Sequence, residues 1–152
     1  MSRKVVWNVL LGILLALTLW FIWGNSLLTR EESSGLSIRI YEWLQPALLA
    51  MGLDRIDEHF LRKLAHFTEF AVLGCELAAL FFLNRGRNLR SVGFSALCAL
   101  VTAATDETIQ LFSGRAAMLR DVLLDFTGAL AGIVLFWLLT HRRRRGQEKD
   151  QL

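Results

Sequence analysis

From Val5 to Trp23 the chain runs nineteen residues without a charge, long enough to cross the hydrocarbon of a bilayer as one helix. A spanning segment must satisfy its own backbone hydrogen bonds, so it is a helix or part of a closed barrel. Arg3 and Lys4 precede the run, as they would in a secretory signal, but the run exceeds a signal core and leads into no small-residue cleavage site. Trp7, Trp20 and Trp23 stand toward its ends, where amphipathic rings settle at a bilayer interface. The segment reads as a retained anchor. Composition agrees, since 54% of the 152 residues are apolar and the mean hydropathy is +0.42, which makes lipid the expected solvent.

Three further spans are expected at about residues 61–83, 91–112 and 118–140. Asp106 and Glu107 interrupt the third, a position where acids cost less than at the bilayer centre. The expected fold is all-α: a four-helix transmembrane bundle forming a single domain over 1–152, with a basic tail at 141–152. Arg3 and Lys4, then Arg85, Arg87 and Arg90, then Arg142 to Arg145 all fall on one side of four spans. The positive-inside rule makes that side the cytoplasm, with both termini there and a bacterial inner membrane as the location. Asn84, Gly86 and Asn88 supply turn chemistry to the loop between the second and third spans.

Residues 24–60 then lie outside, as a Ser- and Glu-containing turn region followed by an apolar stretch from Leu36 to Leu53. Arg39, Glu42 and Pro46 interrupt that stretch too often for it to span. It reads as an interfacial helix kinked or started at Pro46, a re-entrant segment being the alternative.

The basic balance, with a pI near 9.3, does not indicate nucleic acid, because the densest basic run directly follows a span, where topology signals and anionic lipid contacts belong. Membrane lipids are the expected partners. Cys75 and Cys98 fall inside spans, where a thiol behaves as a small apolar group, and no disulfide is expected. Ala71, Cys75 and Ala79, then Ser95, Ala99 and Ala103, then Gly128 and Gly132 recur every four residues. Such faces admit close helix approach, expected within one chain more than between copies.

Ionisable residues gather near one end of three spans. Lys63, His66 and Glu69 share a face of the second; Asp106, Glu107 and Gln110 lie in the last turns of the third; Asp121 and Asp125 open the fourth. Glu69, Asp106 and Asp125 should lie about 10 Å deep, with Arg115 on the connecting turn and Arg120 one turn in. An ionised side chain at the bilayer centre costs about 2.5–3.5 kcal/mol, so these acids must pair, protonate or line a hydrated cavity. Two readings stay open: a rim of interhelical salt bridges, or a polar pocket facing the outer leaflet. Glu76 lies deeper and is either a protonated core residue or part of the same cavity; a proton-linked carrier would use it.

His66 with Glu69, Asp106 and Asp125 offers one imidazole and several carboxylates, a set able to hold a divalent ion. The spacing is not diagnostic, and with no HExxH, CxxC or paired histidines neither metal nor cofactor is expected. Ser113-Gly114 lacks a nucleophile-elbow context. If the chain is an enzyme, His66 oriented by Glu69 is the candidate acid–base pair, acting on a lipid-linked substrate.

The run Arg62-Lys63-Leu64-Ala65-His66-Phe67-Thr68-Glu69-Phe70-Ala71-Val72-Leu73-Gly74 resembles the first conserved block of VanZ-like proteins. Asp106-Glu107-Thr108-Ile109-Gln110, then Gly114-Arg115, Asp121 and Gly128 with Gly132 are similar to the second. The resemblance covers nearly the whole chain, with Asp125 standing where Asn is common and Phe70 where Tyr is frequent. It implies a bacterial cell-envelope role, in a family named for teicoplanin resistance, rather than a defined reaction. An amphiphile, either a lipoglycopeptide or an envelope lipid, is the implied ligand. Lys63, His66, Glu69, Asp106, Glu107, Gln110, Arg115, Asp121 and Asp125 are the residues expected to meet it.

Overall fold

The computed structural model describes residues 2–53, 56–115 and 118–149. Five helices follow one another: α1 (Arg3–Ser26), α2 (Arg30–Ala50), α3 (Glu58–Arg85), α4 (Leu89–Phe112) and α5 (Leu119–Lys149), with no strand among the described residues. All but α2 include a stretch long and apolar enough to cross a membrane. The protein is therefore an all-helical polytopic membrane protein. The side chains of the basic tail, 141–152, lie outside the described residues.

Helices α3 and α5 make the most extensive contact, and glycine is the reason. A Cβ at Gly132 would overlap the backbone carbonyl of Ala71, one at Gly128 the carbonyl of Phe67, and one at Gly74 the backbone of Ala129. Lipid tails are as apolar as leucine, so helices associate in a bilayer through such close approach rather than through a hydrophobic drive. The Cys75 Sγ–H donates to the Gly132 carbonyl at 3.2 Å, which needs the same closeness, and both cysteines are free thiols. On α4 the stripe of Ser95, Ala99 and Ala103 is fully buried. The small-residue faces expected from the sequence are thus the bundle's packing faces.

Helix α1 lies against α3 and α4 with only Ile22 and Ser26 buried. Polar side chains of α1 hold it at three levels. Asn8 and Asn84 exchange side-chain amide bonds at 3.1 and 2.7 Å, Thr18 donates to Glu76 at 2.8 Å, and Ser26 donates to Asp106 at 2.6 Å.

Helix α2 decides between the two alternatives for the interfacial helix, which does not start at Pro46. It begins sixteen residues earlier, at Arg30, and carries Pro46 inside its last turns. Thr29 is the cause: its Oγ accepts from the Glu32 amide at 3.3 Å while Glu32 Oε2 accepts from the Thr29 amide at 3.0 Å, a reciprocal capping box. Proline near the C-terminal end leaves only the Glu42 carbonyl without its helical donor. None of the described α2 side chains is fully buried, and the helix packs chiefly on α3.

The Thr29 amide and then its hydroxyl hold the Glu32 carboxyl below its ordinary value. Ionised Glu32 therefore supports the cap at any pH above the ordinary carboxylate range, and that support is lost as pH falls through the lowered value. Protection of the Ser33 amide against hydrogen exchange, corrected for the intrinsic rate, is expected to drop between pH 6 and pH 3. Glu32→Ala should remove that pH dependence.

Candidate functional site

The end of the bundle where α1 and α4 finish and α3 and α5 begin collects the polar side chains. A tight reversal shapes it. Gly114, at φ +77°, takes the left-handed conformation that closes α4, and the amides of Gly114 and Arg115 return to the carbonyls of Leu111 (3.3 Å) and Gln110 (3.1 Å). That closure leaves Arg115 over the end of α4, where its guanidinium donates to the Asn25 carbonyl of α1 at 3.4 Å. Its Nε is buried without a partner. Burial, then the neighbouring Arg62 charge, disfavours the charged form of Arg115.

Asp106, fully buried, is the centre. Its Oδ1 accepts from Ser26 at 2.6 Å and its Oδ2 from Gln110 Nε2 at 2.8 Å, Gln110 lying one turn on along the same face. Ser113 Oγ donates to the Ser26 carbonyl at 2.8 Å and ties the ends of α1 and α4 again. Asp125 of α5 is 2% exposed, and one ligating atom each of His66, Asp106 and Asp125 lies within 4.8 Å of the others. Three helices therefore converge on one point, one of them through an imidazole.

Three cavities surround this point. A polar vestibule of about 300 Å³ is lined by His59, Arg62, Lys63, His66, Arg115, Arg120, Asp121 and Asp125, among others. A second cavity, of about 330 Å³, takes in Asn25, Arg62, His66, Glu69 and Arg115. A third, of about 750 Å³, is a largely apolar cleft between α1, α2 and α3, lined by residues such as Leu17, Phe21, Ile40, Leu44 and Val72, with Thr18, Thr68 and Glu69 as its polar members. Arg62, His66 and Arg115 are common to the first and second; Phe21, Ile40, Leu61, Ala65 and Glu69 are common to the second and third.

The two motif blocks thus face each other across one site, and a family model describes the chain they belong to: the VanZ/LLP1 model matches residues 9–140, nearly its whole length. The chain belongs to the VanZ/LLP1 family. Comparison with curated proteins and with solved structures returns no match in either. Within this VanZ/LLP1 chain, Lys63, His66, Arg115, Asp121 and Asp125 line the vestibule together with Gln110, while Glu69 opens on the other two cavities.

Two expected residues stand apart. Glu107 accepts the Met118 amide through Oε1 and so fixes the turn into α5. Glu76 sits in the α1–α3 seam and lines none of the three cavities itself, although Thr18, which donates to it, lines the apolar cleft. The expected orientation of His66 by Glu69 has no hydrogen bond behind it among the described residues; His66 Nδ1 and Glu69 Oε2 are each buried without a partner. The salt-bridge rim also finds little support, since the bonds to Asp106 come from a hydroxyl and an amide, and that of Arg115 goes to a carbonyl. Ser26 and Arg62 were not expected in the site. Arg62 carried a signal, one residue before Lys63 in the first block; Ser26 carried only that of a hydroxyl in the last turn of an apolar span.

Proposed function

We propose that this VanZ/LLP1 protein binds an amphiphile, its anionic head between Arg62 and Arg115 and its acyl chain in the cleft between α1, α2 and α3. The observation that carries this reading is the sharing of lining residues from the polar vestibule through to the 750 Å³ apolar cleft. Head and tail of one molecule match that sequence of surroundings. Two guanidinium groups that face common space, with a buried Nε lacking a partner, suit a carboxylate or phosphate. In the membrane, the basic loop residues would set both termini in the cytoplasm of a bacterial inner membrane and open the vestibule to the outer leaflet. An acylated glycopeptide of the teicoplanin kind and an anionic envelope lipid both have this chemistry.

Native mass spectrometry of the purified chain tests the proposal, with phosphatidylglycerol, uncharged diacylglycerol and teicoplanin as separate probes. Arg115→Ala is expected to weaken the anionic probes by about tenfold to a hundredfold, the loss of one charge-assisted bond, and to leave diacylglycerol unchanged. Val72→Trp, which fills the cleft, should weaken every acylated probe. Binding that ignores both variants overturns the reading. Teicoplanin tolerance of cells expressing each variant shows whether the antibiotic or the lipid is the physiological arm.

A second reading, chemistry on that amphiphile, is favoured by the unpartnered His66 Nδ1. It predicts a lipid species that differs between cells expressing the wild type and His66→Ala; identical lipid extracts would remove it.

A further inference from the structure

We propose that His66, Asp106 and Asp125 bind one divalent transition cation of the zinc type at the meeting point of α3, α4 and α5. The donor set is one imidazole nitrogen and two carboxylates, each within 4.8 Å of the others. A cation bound at about 2.0–2.2 Å holds its ligands no more than about 4.4 Å apart, so small side-chain rotations close the set. Mixed nitrogen and oxygen ligands favour zinc over magnesium or calcium, which take oxygen alone. Three protein ligands also leave a coordination position open, and His66 and Asp125 both line the vestibule it would face.

One observation besides the clustering points to a ligand. The His66 Nδ1 is buried with nothing to bond. Buried polar atoms are nearly always satisfied, so an orphan nitrogen at this point describes a group awaiting a partner. Asp125, 2% exposed, brings a carboxylate oxygen within 4.8 Å of that imidazole. Asp106 differs in a way that suits a ligand. Ser26 and Gln110 each use one lone pair of its oxygens, orienting the carboxylate and leaving lone pairs for a metal, as outer-shell partners do in metal sites. The site is independent of the amphiphile, because its donors all belong to the chain.

The test uses the full-length chain with any affinity tag removed, stripped with chelator in detergent and titrated with Zn²⁺ against a chromophoric chelator, with no lipid ligand added. One equivalent is expected to bind, unaffected by millimolar Mg²⁺. Co²⁺ in its place should give visible bands of a four- or five-coordinate ion. Asp125→Asn and His66→Gln, near-isosteric changes at vestibule positions, should each weaken Zn²⁺ by more than a hundredfold. Ser26→Ala, which removes no proposed ligand and acts through the orientation of Asp106 and its neighbour Gln110, should weaken it about tenfold to a hundredfold. Zn²⁺ bound no more tightly than by the triple variant His66→Gln, Asp106→Asn, Asp125→Asn overturns the proposal, as does unchanged affinity in both single variants.

Discussion

Gly132→Ala is expected to prevent α3 and α5 from seating, at a cost on the order of 3 kcal/mol or more. The added carbon meets the backbone carbonyl of Ala71, and a backbone atom cannot rotate away as a side chain does. The helices must separate instead, which also breaks the Cys75 bond to the Gly132 carbonyl. Gly74→Ala should behave alike, because it strikes the Ala129 backbone from the other helix. Gly12→Ala and Gly93→Ala are the controls: nothing lies within 4 Å of either position, and alanine is the better helix former by about 1 kcal/mol. Thermal unfolding in detergent, read as loss of the monodisperse chromatographic peak, separates the two groups. Equal melting of Gly132→Ala and wild type would remove the packing described for α3 and α5.

The second large effect is expected at Asp106. Replacing it with alanine strips the acceptor from the fully buried Ser26 hydroxyl and the nearer acceptor from the Gln110 amide, which keeps only Ser26 Oγ at 3.4 Å. Stranding buried donors costs about 1–3 kcal/mol each, so a loss of roughly 2–5 kcal/mol is expected. The informative measurement is a double-mutant cycle with Ser26→Ala. If the 2.6 Å bond couples the pair, the double variant should cost less than the two single losses together, because one interaction cannot be lost twice. Strict additivity would show that the bond contributes nothing. Gln110→Ala offers a second cycle on the other oxygen of the same carboxylate.

Much of this architecture can be read from the residues. One uncharged and three predominantly apolar runs of spanning length locate four helices, and the four-residue recurrence of small side chains locates the faces on which they pack, because both signals are local in the chain. The start of α2 was also present, as Thr29 followed by Glu32 three residues later. It was obscured by Ser33, Ser34 and Gly35, poor helix formers that read as a turn until the cap that stabilises them is considered. Depth and loop length bring Glu69, Asp106 and Asp125 to one level, whereas the structure sets His66, one turn before Glu69, beside the two aspartates. Neither quantity reveals that Ser26, eighty residues from Asp106, supplies the hydrogen bond. Nor does either show that Glu107 turns away to hold Met118. The apolar cleft is the least legible feature, being a gap between three helices, and periodicity reports where side chains point rather than where they fail to meet.

Polar side chains at three levels of α1 determine its axial position. Asn8, Thr18 and Ser26 are ten and eight residues apart, about 15 and 12 Å along the helix. A slide of one turn, four residues either way, would withdraw Ser26 from Asp106 and put Ile22 or Leu14, neither able to donate, opposite Glu76. Each displaced register therefore strands the Glu76 carboxyl and breaks the buried Ser26 bond together. The apolar remainder of α1 would fit lipid equally well at any height. A smooth greasy rod is thereby notched at three points, and only one alignment engages all the notches.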